Sequence, residues 1–244
     1  MTTIPAGDPV AVAATEAVRR GDLTALRRLL EEHPGLAADR IEASTPQPTS
    51  RTLLHVATDW PGHHPRVAAT IALLVEHGAD VDARFAGPHE ETPLHWAASC
   101  DDVEALDALL DAGADIEAPG AVLGGGSPIA DARGFAQWAA ARRLLERGAT
   151  TTLIDAATLG LDDRVHAALA AGATGDEIGA ALWGACHGGR RSTAELLLAA
   201  GADPDHVPPW SDGTPLDAAR EEGADDLVAW LRAQGARSAR DLGS

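Results

Sequence analysis

Residues 92–116 read TPLHWAASCDDVEALDALLDAGADI, and the fold turns on them. Thr92 is of the type that caps a helix, offering an oxygen to a free backbone N–H, and Pro93 suits the first helical turn. Leu94, Leu106, Leu109 and Leu110 form a seam to be buried, while the small Ala97 and Ala98 let a neighbouring helix come close. Gly113, after the second apolar run, supplies the left-handed residue that ends a helix. The stretch predicts two short helices and a turn, with a seam that only a neighbouring unit of the same kind can cover.

With Thr92 as position 1, the same register returns along the chain. It is met by Thr52, Leu54, His55, Ala57, Gly78 and Ala79; by Ser127, Pro128, Ile129, Leu144, Leu145 and Gly148; and by Thr151, Leu153, Ala156, Ala157, Leu169 and Gly172. Further copies fall at Leu182, Ala185, Leu197, Leu198 and Gly201, with Ala180 as position 1, and at Thr214, Pro215, Leu216, Leu231 and Gly235. A degenerate first copy fits Ala17, Gly21, Leu23, Leu26, Leu29 and Leu30.

From about residue 12 to 238 the chain resembles the ankyrin-repeat family, whose repeat is a β-turn and two antiparallel helices with a T-P-L-H-x-A signature. The resemblance implies an all-α ankyrin-repeat solenoid of about seven helix-turn-helix repeats with irregular hairpin loops. In that family the position-4 His ties a turn to its neighbours, so His55 and His95 are expected to be structural. Trp183 takes the same slot and is expected to remove that hydrogen bond.

The spacing is uneven. From Thr52 to Thr92 is 40 residues, with about five inserted in the turn DWPGHHPR, whereas Ser127 to Thr151 is only 24. In that short copy the second helix must run almost directly into the next repeat. The whole chain, 1–244, is expected to be a single ankyrin-repeat domain, with an N-terminal cap at about 9–39, repeats at about 52–213 and a C-terminal cap at about 214–239. Met1–Gly7 and Asp241–Ser244 are expected to be frayed tails, and Ser44–Ser50 (STPQPTS) a Pro-rich loop.

Composition narrows the function classes. The hydrophobic fraction of 45% is globular, and the aromatic fraction of 3% favours Ala-rich helices over a β-sandwich. A net charge of −18 repels phosphate backbones, so no nucleic-acid partner is expected. The apolar stretch Val10–Val18 is interrupted by Glu16 and lacks a basic leader, so no membrane span or signal peptide is expected and the reading is cytoplasmic. Cys100 and Cys186 form no CxxC pair, so neither disulfide, structural zinc nor other cofactor is anticipated. All 19 basic residues are Arg, with Lys, Asn and Tyr absent, which points to a GC-rich bacterial genome.

The resemblance also implies a function: a non-catalytic protein-binding module, its partner bearing a basic patch. In the family, positions 8 and 9 line a concave groove; here they are Asp59 and Trp60, Ser99 and Cys100, Gly134 and Phe135, Thr158 and Leu159, His187 and Gly188, and Glu221 and Glu222. Trp60 and Phe135 are the expected anchors. The expected partner-binding set is Asp59, Trp60, Ser99, Cys100, Phe135 and His187, with His89 and Glu90 at a hairpin tip. The competing reading is a small-molecule, metal or catalytic site around Trp60, His63, His64 and Cys100, since Cys, His and carboxylate groups gather there without a diagnostic spacing. Against it, PGHHP reads equally as a polar turn. Trp96 and Trp138 are expected in the core, Trp210 exposed in the last hairpin, and Cys186 a buried, inert thiol.

Overall fold

A computed structural model describes residues 2–43 and 48–243, and helices dominate it. The chain forms two compact units, Met1–Ala149 and Thr150–Ser244. In the first, helices follow as pairs: α1 (Pro9–Arg20) with α2 (Leu23–Glu32), α3 (Leu53–Thr58) with α4 (Val67–Glu76), α5 (Pro93–Ser99) with α6 (Val103–Asp111), and α7 (Pro128–Gly134) with α8 (Trp138–Glu146).

Each start has a local cause. Asp8 accepts the Val10 N–H at 2.8 Å ahead of α1, and Pro9 fills its first turn. Asp22 and Asp102 do the same for α2 and α6 through the N–H groups of Ala25 and Ala105. Thr52, Thr92 and Ser127 stand as N-caps of α3, α5 and α7, as the register predicts. Gly113, after α6, takes φ 95°, a left-handed conformation open to glycine without strain. The core joins the pairs: Leu26, Leu54, Leu74, Leu94, Leu109 and Leu144 are buried to 0% exposure, each worth about 2 kcal/mol.

His55 and His95 are scaffold groups. Nδ1 of His95 accepts the Thr92 N–H at 3.1 Å, which leaves Nε2 as the protonated nitrogen, donating to the Gly126 carbonyl at 3.2 Å. His55 repeats this with Thr52 N–H at 3.3 Å and the Glu91 carbonyl at 3.2 Å. Each ring thus ties its own helix start to the residue just ahead of the next cap. Burial lowers both pKa values, to about 3 for His55 and about 4 for His95, so both are neutral where the bonds require it.

Sheet structure was not anticipated. Strand β1 (Thr3–Pro5) pairs in parallel with β2 (Arg40–Ala43), which pairs antiparallel with β3 (Thr49–Arg51). Residues 3–5 of the expected N-terminal tail are therefore ordered by pairing, and Thr2 adds a hydrogen bond to Asp39. Of the expected loop Ser44–Ser50, residues 44–47 lie outside those described, while Thr49 and Ser50 are strand.

The second unit contains α9 (Leu153–Leu159), α10 (Asp162–Ala170), α11 (Gly175–His187), α12 (Arg191–Ala199), α13 (Pro215–Glu221), α14 (Asp225–Ala233) and the short α15 (Ala239–Leu242). α8 ends at Glu146 and Thr152 already caps α9, so the short copy has no hairpin loop. Two caps differ from the expected register. Thr152, not Thr151, starts α9, because Asp155 three residues on closes a reciprocal cap with it. Thr174, not Ala180, starts α11, through the same exchange with Glu177. The expected C-terminal tail also needs correction: Ser238 caps α15 with Asp241.

Trp183 does not remove the scaffold bond. Its indole N–H donates to the Gly213 carbonyl at 3.2 Å, and Gly213 immediately precedes the Thr214 cap. The ring does with its one N–H what Nε2 of His95 does at Gly126. Leu182, Leu197, Leu216, Leu231 and the fully buried Cys186 form the core of this unit. Among the described residues no helix is long and apolar enough to cross a membrane.

Candidate functional site

The long turn after α3 starts the site. Thr58 closes α3 and is buried, so the next two residues, Asp59 and Trp60, are delivered to the surface. The turn is held from below by Asp102, a fully buried carboxylate that caps α6 with one oxygen and accepts the His63 N–H at 2.5 Å with the other. Gly62, at φ 75°, lies so close to Cys100 that a Cβ would stand 2.8 Å from the cysteine's own. The insertion is thus a fixed projection packed onto the end of α5, and Trp60 at its tip is 80% exposed.

Beside it is a concavity of about 390 Å³. Five of the expected residues line it together: Asp59, Trp60, Ser99, Cys100 and Phe135. Phe135, the C-cap of α7, is 42% exposed. Trp96, Glu91, Val122 and Gln137 line it too. Trp96 was expected in the core but is half-buried, its ring 5.0 Å from His55 and 5.4 Å from Phe85. A signal existed, since Trp96 stands four residues before Cys100 on a helix and so shares its face. Trp138, also expected in the core, is half-buried at the start of α8.

The other expected residues lie apart from this concavity. His89 and Glu90 line a neighbouring depression with Arg84 and the Pro119–Gly125 loop, where Arg84 donates to the carbonyls of Glu90 and Pro119. His187 belongs to the second unit, where it stacks on Trp183 at 5.3 Å and pairs with Glu222 at 3.1 Å. Thr158, expected to face the groove, is fully buried, its hydroxyl donating to the Ile154 carbonyl. Trp210 is 52% exposed and, with Val207 and His206, lines a separate concavity of that unit.

Charge in the first concavity is distributed unevenly. Asp59 is paired with Arg51 at 2.7 Å and Arg19 at 3.3 Å, so it adds little negative field. Glu91, nearly buried, is held above the usual carboxylate range by burial, although the Trp96 indole N–H donates to it. Asp131 in α7 is fully buried; burial raises its pKa to about 7 despite N–H donation from Leu123 and Val122.

The catalytic alternative meets a chemical obstacle at the thiol. Cys100 donates to the Thr58 carbonyl at 3.6 Å, and burial, with the charges of Asp59 and Asp102, pushes its pKa up to about 11. Both neighbours oppose the thiolate that attack requires. His63 points outward, 63% exposed, with Nδ1 3.9 Å from Asp102; His64 is half-buried and held below its usual pKa by burial. Among the described residues no group of three or more His, Cys, Asp or Glu side chains is arranged to hold a metal ion. Cys186 is buried and free, its thiol pushed up to about 12 by burial.

Residues 14–119 fit the family model described as ankyrin repeats (3 copies), a span that contains α3 to α6, the long turn and most of the concavity's lining. No curated protein matches the chain.

Proposed function

The chain carries ankyrin repeats over residues 14–119, and from that premise we propose that it is a non-catalytic protein-binding module whose interface is the concavity of the first unit. Such repeats generally mediate protein–protein interaction, which supplies the class of partner. The observation that carries the choice of surface is the pair Trp60 and Phe135, both exposed and both lining one concavity with Trp96. A rigid indole held out on a packed turn offers large contact area at little entropic cost, which is what interface anchors provide. Ser99 and Cys100 line the concavity with the anchors, while His89 and Glu90 at the hairpin tip are peripheral contacts.

With a net charge of −18, the partner surface is basic rather than a nucleic acid, and attraction speeds the encounter. Two free cysteines fit the reducing cytoplasm of a bacterium. In this reading the whole chain, 1–244, is a single ankyrin-repeat domain.

The test is a pull-down from the native lysate, followed by kinetics with the captured protein. Trp60→Ala weakens binding by about 2 kcal/mol, roughly 30-fold, mainly through faster dissociation. Glu90→Gln, at the exposed hairpin tip, instead slows association and flattens its salt dependence. A partner that binds the Trp60→Ala and Phe135→Ala variants as tightly as wild type overturns the assignment of the surface.

A further inference from the structure

Three aromatic rings, Trp60, Trp96 and Phe135, wall the concavity, and its acidic lining residues are Asp59 and Glu91; none of the described residues that line it is basic. The two carboxylates differ. Asp59 already has Arg51 and Arg19. Glu91 has the Trp96 indole N–H, and the exposed His89 two residues before it bears on it electrostatically. Asp131, near enough for its charge and that of Glu91 to repel, is fully buried with Oδ2 unpartnered. The concavity thus keeps one poorly compensated acid, Glu91, beside aromatic rings, with the buried Asp131 close enough to repel it. Burial makes this costly, and an incoming cation relieves the cost.

Ring faces and carboxylates attract the same species, an organic cation, and exclusion of water strengthens both attractions. Arginine suits the geometry better than lysine: its planar guanidinium stacks on a ring while its edge donates to a carboxylate. Its aliphatic stem can lie against the exposed Trp60. We infer that the concavity receives an arginine side chain of the partner protein, the guanidinium stacked among Trp60, Trp96 and Phe135 with its N–H edge on Glu91. This rests on the interface proposed above and adds the chemistry of the group that enters it.

The test uses the full chain, labelled with nitrogen-15, and two small probes: N-acetyl-arginine amide and N-acetyl-citrulline amide, its neutral isostere. The arginine probe should shift the indole N–H signals of Trp60 and Trp96, with the citrulline probe bound about 10-fold more weakly or worse. Glu91→Gln should reduce arginine binding by a similar factor while leaving backbone signals away from the concavity in place. Arginine binding should also weaken as Glu91 and Asp131 take up protons on acidification, an arm that needs no variant. Equal shifts from both probes, or arginine binding indifferent to Glu91→Gln and to pH, overturn the inference. If that happens while a partner is still lost on Trp60→Ala, the arginine is wrong and the interface stands; a partner indifferent to Trp60 removes both.

Discussion

Asp131 lies on the first turn and a half of α7, where helical register turns its carboxyl inward against the Val122–Leu123 segment. One oxygen accepts the Leu123 N–H and the other has no partner, so ionisation inside the unit is poorly compensated. A carboxyl raised from 3.8 to about 7 is more easily protonated folded than unfolded. Its contribution to stability is therefore complete below 3.8 and is lost as pH rises through about 7, amounting to on the order of 4 kcal/mol. His55 and His95 act in the opposite direction, since their depressed pKa values give stability that is present above 6.5 and lost on acidification. Replacing Asp131 by Asn isolates the acid because the histidines are common to both proteins. Urea unfolding should find Asp131→Asn more stable than wild type at about pH 8 by on the order of 2 kcal/mol, with the gap narrowing at about pH 5. A gap of equal size at both pH values would mean that Asp131 is not the titrating group.

The repeated pair of helices was legible in the sequence because its determinants are local. Threonine caps, the proline after them and the glycine after the second helix act within one or two turns, and Thr52, Thr92, Ser127 and Thr214 all cap as the register predicts. The misplaced starts have equally local reasons. In the run Thr150–Thr152 only Thr152 has an acid three residues on, and the glycines at 175 and 179 disguised a capping box, Thr174 with Glu177, that was there to be read. What local reading cannot supply is pairing at a distance, as of Thr3 with Arg40, so the small sheet was missed. The candidate site was half legible for the same reason: Trp60 and Phe135 follow from register, while Glu91 and Val122 reach the concavity only through packing. Trp183 offers a test at this scale. Trp183→Phe loses the N–H to Gly213 together with part of the ring, whereas Trp183→His restores a ring N–H in the slot, so the Phe variant should be less stable than the His variant by on the order of 1 kcal/mol in urea unfolding. Equal midpoints for the two variants would show that the indole bond does not substitute for the histidine device.

Across the whole molecule, two compact units each bury their own core, and each presents an exposed tryptophan, Trp60 in one and Trp210 in the other. They are not equivalent surfaces. Trp60 stands on an insertion anchored by Asp102 and Gly62 against α5 and shares its concavity with two more aromatic rings and Glu91. Trp210 sits in a loop 6.4 Å from Trp183, lining a concavity with Val207 and Pro209. Partner binding is assigned to the first of these surfaces, and backbone hydrogen exchange reads that assignment without altering any residue. Exchange should be measured on the full chain alone and saturated with the partner recovered by pull-down. New protection is expected at residues 59–66, 96–100 and 122–137, with the stretch 206–213 exchanging as in the free protein. Protection confined to 206–213, with the long turn after α3 unchanged, would contradict the assignment.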